Sequence, residues 1–194
     1  MKAPPITGAQ SVAVMVSGTA MPKEQYNEKL LELLGKLENS EGYGDYEARV
    51  MLTGSNLDDS FLANLVEDQG GLVVVEHTCF GARIMWDLID ETGNDPIGAI
   101  AEYYVSVRPS CPRSYMEYPQ RLNLMKEMVK DFRIDGILGE RLASCDVFSG
   151  EHYMLKTDLK KAGIPFLSME REYASTFTGQ LRTRIQAFLE SIRE

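Results

Sequence analysis

Residues Leu72-Val73-Val74-Val75 form a continuous, mostly β-branched apolar run between Gly70-Gly71 and the polar Glu76-His77. Such a run suits a strand buried on both faces, the pattern of a parallel sheet covered by helices. Similar short runs recur at 48–52, 134–138 and 164–167, each followed by a turn signal. Helical patterns lie between and after them, over 60–68, 82–90, 95–105, 122–132, 153–162 and 179–192. Asp58 or Asp59 is placed to cap the first of these, and Pro96 opens the third at N1.

Alternating strands and helices predict a three-layer α/β domain, Rossmann/flavodoxin-like in class, with helices on both faces of a parallel sheet. Four strands are clear in the pattern, and residues 11–15 are a candidate fifth. A helix is predicted over 22–37 with Tyr26, Leu30, Leu33 and Leu34 inward, followed by a polar loop over 38–45. The expected division is therefore a helical arm, 1–45, packed on an α/β domain, 46–194.

The chain has 194 residues, 44% of them hydrophobic, and a net charge of -9. It shows no basic stripe to meet phosphates, so no nucleic-acid partner is expected. No stretch approaches the ~20 apolar residues that span a bilayer, and Met1-Lys2-Ala3-Pro4-Pro5 lacks the features of a signal peptide. No membrane partner is expected, and the location expected is cytoplasmic. There, three cysteines are free thiols or metal ligands rather than disulfides, and their odd number prevents complete pairing.

In open parallel sheets, ligands bind outside the carboxyl ends of the strands. Cys79 lies just after the 72–75 run, Cys145 follows the 134–138 run, and Cys111 sits in the loop Arg108-Pro109-Ser110-Cys111-Pro112. Cys79 and Cys145 should share one edge, which Cys111 is free to join. Thiolates on separate loops suit a soft metal site, and three of them leave an iron–sulfur cube one open coordination position. The alternative is that they are small buried hydrophobes. No C-x-x-C pair supports a structural zinc site.

His77 beside Cys79 could serve as base, ligand or orienting group, and His152 is expected to start a helix. Arg182 and Arg184 could meet a phosphate, although solvated arginines are commoner on a terminal helix. No G-x-x-x-x-G-K-[ST] occurs, which argues against nucleotide hydrolysis by this chain.

Several of these segments resemble one family in order and number. Leu52-Thr53-Gly54-Ser55-Asn56-Leu57-Asp58-Asp59 looks like its "SGSPLDD" segment, and Glu76-His77-Thr78-Cys79-Phe80-Gly81-Ala82-Arg83 is similar to its "DDxCTGSR". Ile134-Asp135-Gly136-Ile137, Glu140-Arg141-Leu142 and Cys145-Asp146 resemble "VDGVIxxRLxxCD". Glu170-Arg171-Glu172-Tyr173 and Thr178-Gly179-Gln180-Leu181-Arg182 complete the series. On these motifs the chain is similar to subunits of the benzoyl-CoA reductase / 2-hydroxyacyl-CoA dehydratase family.

The resemblance implies an acyl-CoA dehydratase or benzoyl-CoA reductase component. Two related subunits would each hold a 4Fe-4S cluster between two Rossmann-like halves. An ATP-dependent iron–sulfur activator protein would supply the electron, and an acyl-CoA thioester would be the substrate, reacting through a ketyl-type radical. It implies Cys145 as a cluster ligand. Cys79 and Cys111 match cysteines of some branches, and His77, Glu76 and Asp146 stand beside the ligands. It also implies that the chain is the C-terminal half of a subunit about twice its length, inactive alone, either excised as a domain or truncated. Two other readings remain: an ATP-driven reductase relative with a double-cubane cluster, for which Cys79 and Cys111 would be the extra ligands, and a non-catalytic electron-transfer or interaction module.

Overall fold

The computed structural model describes residues 3–173 and 178–193. Met1 and Lys2, which belong to the stretch read above as lacking a signal peptide, lie outside the described residues. Four strands, β1 (Ala48–Gly54), β2 (Gly71–His77), β3 (Gly136–Leu142) and β4 (Phe166–Arg171), form one parallel sheet in the order β2-β1-β3-β4. Around it lie α1 (Gly8–Ala20), α2 (Lys23–Leu37), α3 (Phe61–Glu67), α4 (Ala82–Met85), α5 (Pro96–Glu102), α6 (Tyr118–Asp131), α7 (Asp146–Lys161) and α8 (Thr178–Ser191). A π-helical turn, Tyr103–Val107, extends α5.

The strands alternate between two cores, as a period of two requires. Val50, Leu52, Val73, Leu138 and Met169 pack with Ala9 and Val12 of α1, Leu62 and Val66 of α3, and Leu181, Ile185 and Leu189 of α8. Met51 and Ile137 face the other way, against Leu122, Met125 and Met128 of α6 and Leu155 and Leu159 of α7. The helices therefore cover both faces, as predicted.

The candidate fifth strand is a correction: residues 11–15 lie inside α1. Ser-Val-Ala-Val-Met alternates locally, but Ala9, Val12 and Val16 recur at helical spacing and all reach the same core. A capping box starts the helix, with Thr7 and Gln10 satisfying one another's backbone N–H, and the Glu67 carboxylate accepts from the N–H groups of Gly8 and Ala9. Gly8 is obligatory there, because a Cβ would lie 2.3 Å from that of Val73. In α2, Tyr26 is buried, but Leu34 is half exposed rather than inward.

The connection from β2 runs through residues 78–135, crosses back over β1 and places β3 on its far side. With β1 between β2 and β3, the chain changes direction across the β1/β3 pair. That crevice, outside the carboxyl ends of β1 and β3, is the sheet's topological switch point.

Candidate thiol site at the carboxyl edge

Cys79 follows β2 and Cys145 follows β3, so both thiols leave the carboxyl edge of the same sheet, on the two strands flanking β1. Two strand spacings separate those exits, roughly 10 Å. All three cysteines are free and half-buried.

The exits of β1 and β3 are laced together. Gly54 has φ +136°, and a Cβ there would lie 1.7 Å from the Glu140 carbonyl oxygen, so only glycine fits. Ser55 N–H donates to that same oxygen, and the Ser55 hydroxyl accepts from Leu142 N–H at 3.0 Å. Arg171 Nε lies 2.7 Å from the Glu140 carboxylate, and its Nη2 donates to the Asn56 carbonyl. Burial holds the Glu140 carboxyl above its usual range, against the pull of Arg171. Beyond Leu142 the chain turns through Ser144 in the left-handed region, φ +61°, and Cys145 becomes the N-cap of α7. Its side chain makes no capping bond, so the sulfur is not engaged in closing the helix. Asp146, the first residue of α7, is exposed.

On the β2 side, Glu76, His77 and Thr78 are all buried. Burial pushes the Glu76 carboxyl up to about 7, and the Thr78 hydroxyl, its donor at 3.5 Å, pulls partly back. His77 lies near Thr53, Nδ1 to Oγ1 at 3.4 Å, and burial, then the charges of Arg83 and Arg121, hold its ring well below the ordinary value. A neutral buried imidazole is poorly suited to proton transfer near pH 7. The connection of His77 to the thiols runs through its backbone: its carbonyl accepts from Arg83 Nη2 at 3.1 Å, and Arg83 Nη1 lies 3.8 Å from Cys79 Sγ.

Cys111 is fixed by α6. Arg121, 1% exposed, donates from Nη1 to Ser110 Oγ and to the carbonyls of Cys111 and Ser114, and from Nε and Nη2 to both Glu151 oxygens at 3.0 and 2.9 Å. The loop after Cys111 borders a cleft of about 380 Å³ with the first turns of α7, lined by Pro112, Arg113, Tyr115, Asp146, Gly150 and Glu151. Cys111 is thereby tied to the α7 side through Arg121 and Glu151.

Among the described residues, no three His, Cys, Asp or Glu side chains converge where one metal ion could sit. Cys79 and Cys145 share an edge rather than a point. That spread disfavours a mononuclear site, while the donor chemistry, three free thiols with a buried cation beside Cys79, would suit a thiolate-held iron–sulfur group.

The sequence pattern gave no role to Arg83 or Glu140, although both stand in the quoted motifs, and did not pick out Arg121 or Glu151. His152 does not start a helix: α7 begins at Asp146, and His152 is buried within it, Nδ1 3.1 Å from Ser168 Oγ and packed edge-on to Phe166. Arg182 pairs with Asp68, and Arg184 donates to the Ser168 carbonyl. The N-cap of α3 is Ser60, not Asp58 or Asp59 as expected; Asp59, just before the helix, accepts from Phe61 N–H.

Burial, then the charge of Arg141, lowers the His152 ring from 6.5 to about 4. Between those values the unfolded chain binds a proton that the folded chain refuses. The stability that depends on a neutral ring is full above about pH 6.5 and is lost as pH falls toward 4. Between pH 7 and pH 5 the wild type should lose about 2 kcal/mol more than His152→Asn. Urea melts at the two pH values measure this, and equal losses would show that the ring is solvated.

A parallel sheet with cysteine-bearing loops on both strands flanking β1 defines an α/β domain that presents thiols at its carboxyl edge. Comparison with known proteins narrows the class. The chain belongs to the 2-hydroxyglutaryl-CoA dehydratase D-component family, whose model matches residues 1–192. It is 28% identical to the (R)-phenyllactyl-CoA dehydratase beta subunit of Clostridium sporogenes, over 96% of this chain and 49% of that protein. It is 29% identical to the putative dehydratase subunit YjiM of Escherichia coli (strain K12), over 76% of this chain and 38% of that one. A benzoyl-CoA reductase subunit of Thauera aromatica is 27% identical, over 56% and 24% respectively. The chain thus spans about half the length, or less, of the curated relatives it matches. Among the described residues no helix is long and apolar enough to cross a membrane.

Proposed function

We propose that this chain forms one side of an iron–sulfur site in an acyl-CoA dehydratase- or reductase-type subunit, with Cys145, Cys79 and Cys111 as thiolate ligands. The observation that carries this reading is the placement of Cys145: an unengaged sulfur on a rigid N-cap at the switch point, in a member of this family. A 4Fe-4S cluster, when bound, would supply one-electron chemistry at low potential.

The chain's own residues hold and shield that group. The Gly54–Ser55 and Glu140–Arg171 contacts fix the exit of β3 and hence the turn that carries Cys145. Arg121 fixes the Cys111 loop. The Glu76 carboxyl, near 7, can hold or release a proton beside the Cys79 loop. An acyl-CoA thioester is the proposed substrate class, in keeping with the names of two relatives. A related second subunit and an ATP-dependent iron–sulfur activator are the proposed partners, and free thiols suit a reducing cytoplasm.

A double-cubane cluster in an ATP-driven reductase is the second reading, favoured by two free, half-buried thiols besides Cys145, those of Cys79 and Cys111. Anaerobic reconstitution with ferrous iron and sulfide tests both. Thiol-dependent uptake of iron and sulfide in near-equal amounts is expected, with an EPR signal on reduction and loss of the iron in air. Iron at about twice the single-cube amount would select the second reading. No uptake, or an air-stable single metal, would overturn both.

A further inference from the structure

Arg83 is 4% exposed, and among the described residues no carboxylate forms an ion pair with it. Its Nη2 donates to the His77 carbonyl, its Nη1 reaches Cys79 Sγ, and its Nε is buried with no partner. The charged or ionisable groups acting on it are Cys79, Cys111, Glu151 and Arg121. Glu151 is already engaged by both of its oxygens with Arg121. Two buried guanidinium groups therefore face one carboxylate, and one positive charge is left over. An uncompensated buried ion is strongly destabilising, so the arrangement calls for an anion at this place. The Cys79 sulfur, 3.8 Å from Nη1, is the group placed to meet it.

We infer that Arg83 is the buried counter-cation of the thiolate site, orienting Cys79 and raising the reduction potential of the iron–sulfur group that Cys79 and Cys111 help to hold. This rests on the reading proposed above. The bond to the His77 carbonyl fixes one arm of the guanidinium fork, which leaves Nη1 directed at the sulfur. A fixed positive charge stabilises the form of the cluster that has gained an electron. At several ångströms and an effective dielectric constant near 20, that stabilisation amounts to about tenfold or more in the reduced-to-oxidised ratio.

The test uses the full chain, reconstituted anaerobically, as wild type, Arg83→Lys and Arg83→Gln, with iron content and an EPR-followed redox titration for each. Arg83→Lys keeps the charge and should stay near the wild-type potential. Arg83→Gln should shift it negative by about 59 mV, the one-electron equivalent of tenfold. A Gln variant with full iron and an unchanged potential overturns the inference while leaving the proposed function standing. A wild-type chain that takes up no iron overturns both, and is recognised before any variant is made. Should Arg83→Gln not fold, pulsed EPR of the wild type labelled with 15N-arginine decides: a 15N coupling to the reduced cluster is expected, lost in Arg83→Lys, and its absence in the wild type overturns the assignment.

Discussion

Glu151→Ala is expected to destabilise the domain by about 3–5 kcal/mol, because it strands a buried guanidinium. The side chains of Arg121 and Glu151 are 1% and 7% exposed, and the pair is bidentate. With Glu151 gone, Arg121 keeps its bonds to Ser110, Cys111 and Ser114 but loses its only carboxylate partner among the described residues. The positive charge left behind also adds to that of Arg83. Replacing both members, as Arg121→Met with Glu151→Leu, should recover much of the loss, since apolar side chains of similar volume carry no desolvation penalty. The double variant should nevertheless free the Cys111 loop, because the donors that fix it are gone. Urea denaturation gives the first result, and the rate of Cys111 alkylation the second. A loss below about 1 kcal/mol for Glu151→Ala would place the pair among solvated ion pairs.

The same pair shows where sequence reasoning stops. Leu72 to Val75 announced β2 because an apolar β-branched run admits few alternatives. The far end of β3 was hidden by Glu140 and Arg141, which look unlike a buried strand until Arg171 is brought alongside by β4. The near end was set too early, because Asp135 is taken up by β1: its carboxylate accepts from Arg49 N–H and its own N–H donates to the Arg49 carbonyl. The start of α7 was placed late, since Ser149 and Gly150 are weak helix formers. Tertiary contacts of Glu151 with Arg121, and of His152 with Ser168 and Phe166, hold those turns in place. One signal was available. Arg121 stands four residues before Met125 on an apolar stripe, and Glu151 stands four before Leu155 and eight before Leu159. Two opposite charges intruding on the apolar faces of two helices are what a buried pair looks like in one dimension. Cys79 and Cys145 could be assigned to an edge because strand ends are legible. Their companions Arg83 and Arg121 could not, because the contacts they make depend on how the crossover through residues 78–135 folds.

Cys145→Ser is expected to abolish most iron binding, by at least about tenfold, while leaving the domain as stable or slightly more so. Serine is close to cysteine in shape, but its hydroxyl is a harder and far less acidic donor, so a thiolate-preferring iron–sulfur group loses a ligand. The effect on stability runs the other way. Cys145 is the N-cap of α7, and its sulfur makes no capping bond, which leaves backbone N–H groups of the first turn without that partner. Serine is among the preferred N-caps, and its oxygen can accept from N2 or N3, worth up to about 1 kcal/mol. A position where serine would serve the helix better carries a cysteine instead, and the turn through Ser144 in the left-handed region holds it at the switch point. If the sulfur were simply a packed hydrophobe, the same change would bury a hydroxyl and cost about 1–3 kcal/mol with iron binding unaltered. The two accounts thus differ in both measurements: iron is lost or retained, and stability moves in opposite directions. Iron and sulfide content after anaerobic reconstitution, with thermal melts of the metal-free protein, separates them: retained iron with a lowered melting temperature would remove Cys145 from the site.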